Sequence, residues 1–173
     1  MARYNPLGPI PSNHELWQTQ RLSKMGLTIG VASFLLLVGT TACRAASPQS
    51  TFDAITGQFK PCPDSPNCVS TQADPNDSEH YSAPFSYTGS TAEAQQKLLA
   101  VIEQLPRTTL VTVEATYLHV EFRSLIFRFV DDVEFYLDDA TKTIHFRSAS
   151  RLGYSDLGVN RKRMEEIRTR FAN

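Results

Sequence analysis

Three absences narrow the reading first. The chain has only three cysteines, Cys43, Cys62 and Cys68, and no two form a C-x-x-C. That spacing removes the thioredoxin-type redox motif and the paired-thiol zinc motifs. No G-x-S-x-G nucleophile elbow is present, so the sequence offers no local signature of acyl transfer. Basic residues do not dominate, with 17 Lys/Arg against 18 Asp/Glu. Without a recognisable nucleic-acid motif, that balance argues against a nucleic-acid partner. The last absence is local. GLTIGVASFLLLVGTTAC, from Gly26 to Cys43, contains no charge at all.

That charge-free run organises the N-terminal part. Arg21 and Lys24 precede it and small residues close it, the layout of an export signal. Its length is also near the ~17–25 residues of a membrane-spanning helix. Residues 1–24 read as a polar cytoplasmic n-region and residues 25–43 as an export signal or membrane anchor. The ending VGTTAC resembles a bacterial lipobox, with Ala42 and Cys43 in place and Thr40 departing from the usual Leu. Lipidation at Cys43, an uncleaved anchor and simple cleavage stay open. Each exports the remainder to the periplasmic or lumenal face of a bacterial membrane, and the first two keep it membrane-attached. Residues 44–60 read as a polar tether, and residues 61–173 as a single globular domain of ordinary composition.

Export makes the remaining cysteines legible. Cys62 and Cys68 lie in the proline-rich PCPDSPNCVS and read as a disulfide in an oxidising compartment. It would pin the loop from Pro61 to Tyr81. A metal site using these thiols with His80 is the sharper alternative.

The domain reads as α+β: one antiparallel sheet of about four or five strands, with two helices on one face. Ser90 and Glu93 form a capping box ahead of an apolar stripe, Ala94, Leu98, Val101, Ile102 and Leu105, that Pro106 ends. TLVTVEATYLHVEFR alternates as a hairpin, pairing Val113 with Leu118, Val111 with Val120 and Thr109 with Phe122. A second hairpin turns at Asp139–Lys142, with Val133, Phe135, Leu137, Ile144 and Phe146 toward the core. Its register puts Tyr136 opposite His145, and Glu134 opposite Arg147 as a cross-strand ion pair. The other sheet face should then be polar and wet. SLIFRFVDD has no clear period and reads as a connection or short strand. A short strand is expected near Pro84–Tyr87. The last helix should begin at Asn160 as N-cap, with Val159 and Met164 as a hydrophobic staple. Met164, Ile167 and Phe171 form its buried stripe.

Charge is unevenly spread. Residues 44–146 carry seven Lys/Arg and fourteen Asp/Glu, whereas residues 147–173 carry seven and three. Arg161, Lys162 and Arg163 stand in the first turn of the last helix, where the helix dipole is positive and each cation costs ~0.3–1 kcal/mol unless compensated. Intramolecular complementarity with the acidic body is one explanation. The sharper one is an anion site assembled from Arg147, Ser148, Ser150, Arg151, Ser155, Asp156, Asn160, Arg161 and Arg163. His119, Glu121 and His145 on the wet face are weak candidates for a metal. No catalytic residues are assigned and no cofactor is implied.

CPDSPNCVSTQA, FRFVDDVEF and HFRSASRLGYSDLGVNRKRMEEIR occur in that order. Together they resemble the bacterial and plastid domain-of-unknown-function family 1499, over about Cys62 to Phe171. The resemblance implies a single compact domain, often attached to an export or membrane segment, and names no substrate. The sequence as a whole points to a non-enzymatic binding or assembly module in the cell envelope. Its partner would be an envelope protein or an anionic ligand. A metal-dependent or hydrolytic enzyme is the alternative. Intact-mass measurement of the mature chain should show an acylated N-terminus at Cys43; full-length mass would mean an uncleaved anchor instead.

Overall fold

The computed structural model describes residues 50–173. The n-region 1–24, the apolar stretch 25–43 with Cys43, and tether residues 44–49 lie outside the described residues. Among the described residues, no helix is long and apolar enough to cross a membrane.

The elements run β1 (Phe52–Asp53), β2 (Gln58–Phe59), β3 (Cys68–Ser70), β4 (Phe85–Ser86), α1 (Thr91–Glu103), β5 (Thr108–Val113), β6 (Tyr117–Arg123), β7 (Val130–Asp138), β8 (Thr143–Ser150) and α2 (Val159–Ala172). The class is α+β. A six-stranded antiparallel sheet has the order β3-β8-β7-β6-β5, and β4 also pairs with β8. The count exceeds the expected four or five because the proline-rich segment contributes β3. Val69 of β3 faces Ser148, while Phe85 of β4 faces Ile144. The two short strands therefore share one edge of β8. Cys62 and Cys68 are disulfide-bonded, with Cα atoms 5.6 Å apart.

Both helices pack on one sheet face. Ser90 and Glu93 form the expected capping box, and Ala94, Leu98, Val101 and Ile102 are buried along α1. Val133, Phe135, Leu137, Ile144 and Phe146 have no solvent exposure and form the sheet's contribution to the core. Met164, Ile167 and Phe171 complete it from α2.

The β7–β8 register is the expected one, with Asp138 opposite Thr143, Tyr136 opposite His145 and Glu134 opposite Arg147. The β5–β6 register holds at Val113–Leu118 and then slips. A bulge between Leu110 and Thr112 pairs Leu110 with Val120 and Thr108 with Phe122. Here β5 is a sheet edge, where an extra residue adds twist and discourages further strand pairing. Simple alternation carries no sign of it.

Three further expectations are corrected. The N-cap of α2 is Gly158, at φ 77°, rather than Asn160. Asp156 satisfies the free amides instead, its carboxylate accepting from Gly158 N at 2.9 Å and Asn160 N at 2.7 Å. Val159 thus becomes the first helical residue, half exposed, and the Val159–Met164 staple is not in place. Second, the tether is not featureless, because β1 and β2 pair as a hairpin with Phe52 opposite Phe59. Third, that hairpin covers the sheet face expected to be wet. Phe52 stacks on Tyr117 at 4.9 Å and tilts against Tyr136 at 4.9 Å. Gly57 passes close beneath Tyr136 at φ +69°, where a Cβ would sit 3.3 Å from the ring. Glu134 is buried beneath this segment, and His119, Glu121 and Arg147 on the same face are buried as well.

Phe135→Ala should cost ~3–5 kcal/mol in urea unfolding, because it opens a cavity between sheet and helices. Leu152→Ala, at 69% exposure, should stay within about 0.5 kcal/mol.

Candidate functional site

Side chains on a strand alternate between faces, and that alternation splits the arginine–serine stretch. Ser148 and Ser150 point to the helices, while Arg147 faces the other way with Glu134, and Arg151 joins Asp132. The stretch therefore builds two separate polar networks.

On the helix side, Arg163 pairs with Asp131 at 2.5 Å. Its guanidinium also donates to Asn160 Oδ1 at 2.7 Å and lies over the Phe122 ring, 4.6 Å from the centroid. Asn160 is fully buried. It accepts from Ser148 Oγ at 2.6 Å and donates to Asn67 O at 3.0 Å. Ser150 Oγ donates to Asp131 at 2.6 Å. These bonds explain two of the cations placed against the dipole. Arg163 is held by a buried carboxylate, and Arg161 caps a turn by donating to the carbonyls of Ser78, Glu79 and Tyr81. Lys162 is exposed. Ser155 is exposed, and its Oγ accepts from Leu157 N.

On the opposite face, Arg151 bridges two acids. It meets Asp132 through Nε at 2.6 Å and Glu121 through a terminal nitrogen at 2.6 Å. Glu121 also pairs with Arg123 at 2.8 Å. His119 Nε2 lies 2.7 Å from Asp132. Burial works to raise the Asp132 pKa, but the hydrogen bonds from Arg151 and His119 outweigh it and bring it down to about 2.

Glu134 has no solvent exposure. It does not form the expected ion pair with Arg147. It accepts instead from Thr51 N at 2.7 Å, Tyr117 Oη at 2.6 Å and Ser50 Oγ at 3.2 Å, and from Thr51 Oγ1. Burial and the bond to Glu134 push the Tyr117 hydroxyl upward. Arg147 donates through Nε to Lys60 O at 2.9 Å. Burial lowers its pKa, opposed by the charges of Glu134 and Asp132. Arg147 and Arg161 are the two members of the stretch without an ion pair among the described residues.

The weak metal candidates do not converge. His119 faces Asp132, Glu121 faces two arginines, and His145 Nδ1 lies 3.2 Å from Thr71 Oγ1, its pKa lowered by burial. No group of three His, Cys, Asp or Glu among the described residues could hold a metal ion. His80 engages Asp77 at 2.7 Å, and the thiols beside it are oxidised.

One surface escaped the sequence reading. The β6–β7 connection and the β8–α2 loop leave the same end of the sheet, where Arg151 N bonds Val130 O at 3.0 Å. Leu125, Ile126 and Phe127 in the first loop are each more than 70% exposed, as are Tyr154 and Leu157 in the second. A cavity of about 230 Å³ beside them is lined by Arg107, Arg123, Val159, Lys162 and Arg163, among others. Arg107, Arg128 and Lys162 make no ion pair among the described residues. Three non-glycine residues at this end, Arg107, Arg128 and Leu157, hold positive φ, a conformation costing about 1–2 kcal/mol each. The available signal was the apolar run SLIFRF, which has no period that would bury it.

Residues 58–171 match the family described as "Protein of unknown function (DUF1499)". The match covers well over half of the chain, and the chain belongs to that family. Comparison with curated proteins finds no match.

Arg151→Ala strands Asp132 and Glu121 without their shared cation. Glu121 keeps Arg123 and Asp132 keeps His119, so the substitution should cost ~1–3 kcal/mol of stability, as loss of a hydrogen bond to a charged group does. Arg163→Ala should do the same through Asp131 and Asn160. Because the Asp132 pKa is depressed in the fold, its contribution is complete above pH ~4, the ordinary carboxylate range. It is lost as pH falls toward about 2. Urea midpoints of the parent should drop across that window, and those of Asp132→Asn should drop less.

Proposed function

We propose that this chain is an exported, membrane-tethered binding or assembly module that performs no chemistry of its own. The arginine–serine stretch contributes the frame. Its arginines are engaged by Asp131, Asp132, Glu121 and backbone carbonyls elsewhere in the fold, which leaves them poorly available to a partner. The contact surface is the apolar end of the sheet. The observation behind this reading is the exposure of Leu125, Ile126 and Phe127 on one loop, beside Leu152, Tyr154 and Leu157 on the next. Large contiguous apolar patches on a folded unit mark interaction sites. Withdrawing each such side chain from water is worth ~1.5–3 kcal/mol, enough for three of them to decide an association.

Export and tethering rest on the charge-free run ending at Cys43 and on the Cys62–Cys68 disulfide, which suits an oxidising compartment. The cations around the apolar end give the partner a sign, anionic or acidic at its rim.

A photo-crosslinking residue at Ile126 of the full chain, activated in intact cells, tests this. A discrete adduct is expected, to lipid or to protein. The double variant Leu125→Ser, Phe127→Ser should abolish it while leaving unfolding midpoints unchanged. No adduct in the parent, or an adduct indifferent to the double variant, would sink the proposal.

A further inference from the structure

We infer that the apolar end of the sheet docks on an anionic lipid surface, with the β6–β7 loop entering the headgroup region. This rests on the binding-module reading and names its partner. The shape favours lipid. Leu125, Ile126 and Phe127 are successive residues of one connection joining two antiparallel strands. All three are more than 70% exposed at the end of the sheet, and of them only Leu125 borders a cavity, so a planar, deformable surface suits them. The Phe127 and Phe129 rings stack at 5.6 Å, which gives the tip an apolar aromatic body of the kind that membrane-surface segments bury at the headgroup boundary.

The charge pattern names the lipid. Arg128 lies within the tip, and Arg107, Arg123 and Lys162 line the adjoining cavity. The carboxylates lining that cavity are engaged, Asp131 by Arg163 and Glu166 by Arg170. Arg123 is itself paired with Glu121, so the end of the sheet offers an apolar tip with Arg107, Arg128 and Lys162 as its unpaired cations among the described residues and with both cavity carboxylates engaged. Apolar insertion backed by Lys and Arg is the pattern that holds peripheral segments to anionic bilayers. On the tethering reading, only six residues, 44–49, lie between Cys43 and Ser50, so the link is seven residue steps long. Seven steps reach at most ~25 Å, so the domain could not leave the surface that holds it.

The test uses the full chain in lipid nanodiscs. Trp17 is the chain's single tryptophan, so Trp17→Phe combined with Phe127→Trp leaves one reporter at the tip. Discs are made from phosphatidylcholine alone or with phosphatidylglycerol, each with acyl chains brominated near the headgroup. In anionic discs the tip fluorescence should shift to the blue, be quenched by bromine and be shielded from aqueous acrylamide. Adding Arg128→Gln and Lys162→Gln should weaken docking about fivefold per charge, and high salt should act in the same direction. The side chains of these two residues make no ion pair among the described residues, so folding should not change. Equal quenching in both lipids would overturn the anionic requirement. No quenching in either, with full acrylamide access, would overturn the inference itself. In that case a protein adduct from Ile126 would leave the binding-module reading standing, and no adduct would remove both.

Discussion

The register of β7 against β8 is the constraint from which the other arrangements follow. Asp138 opposite Thr143 fixes which residues of both strands face the helices. A shift of one residue would turn Phe135 and Phe146 outward and bring Glu134 and Arg147 into the apolar layer. The same register sends Asp131, Ser148 and Ser150 toward α2, where Asn160 and Arg163 await them. It sends Asp132 and Glu134 to the opposite face, to meet Arg151 and the β1–β2 hairpin. Two neighbouring acids, Asp131 and Asp132, thereby serve different networks on opposite sides of one sheet.

The polar layers carry specificity that the apolar core lacks. Phe, Ile and Leu would tolerate several dispositions of α2 against the sheet. Asn160 would not, because its buried amide must satisfy donors and acceptors from Asn67, Ser148, Ser150 and Arg163 together. The disulfide-bounded loop belongs to this arrangement, since Asn67 also donates to Gly153 O. Cations at the start of α2 are thus a consequence of where the acids lie. The unfavourable dipole term is small beside a buried ion pair that would otherwise leave Asp131 unpaired.

Much of this was legible in the sequence where periodicity speaks. The capping box at Ser90, the stripes of both helices, the β7–β8 hairpin and the Cys62–Cys68 bond follow from local pattern. The misses share a cause, which is that they depend on contacts between distant segments. The alternation of β6 shows a polar face, but nothing in it says that Phe52 will cover that face. Asn160 looks like a cap because caps and buried amides use the same residue. Asp156 took the capping role because the chain turned one residue pair earlier, through Gly158. Arg147 and Arg151 look like neighbours of Ser148 and Ser150, yet the sheet separates them. The exposed SLIFRF run was visible as an unplaced apolar segment, and only the fold shows that nothing among the described residues buries it.

The grip of Glu134 on Ser50 and Thr51 has a bearing on where this domain begins. The family match starts at Gln58, but the carboxylate at the centre of the sheet draws three of its four hydrogen bonds from residues 50 and 51. A proteolytic nick between Ser50 and Gln58 would therefore remove more than a linker. It would leave a buried negative charge with one remaining donor and uncover two tyrosine rings. The physical boundary of the unit lies upstream of its recognisable one, and the last stretch of tether is part of the fold that it holds.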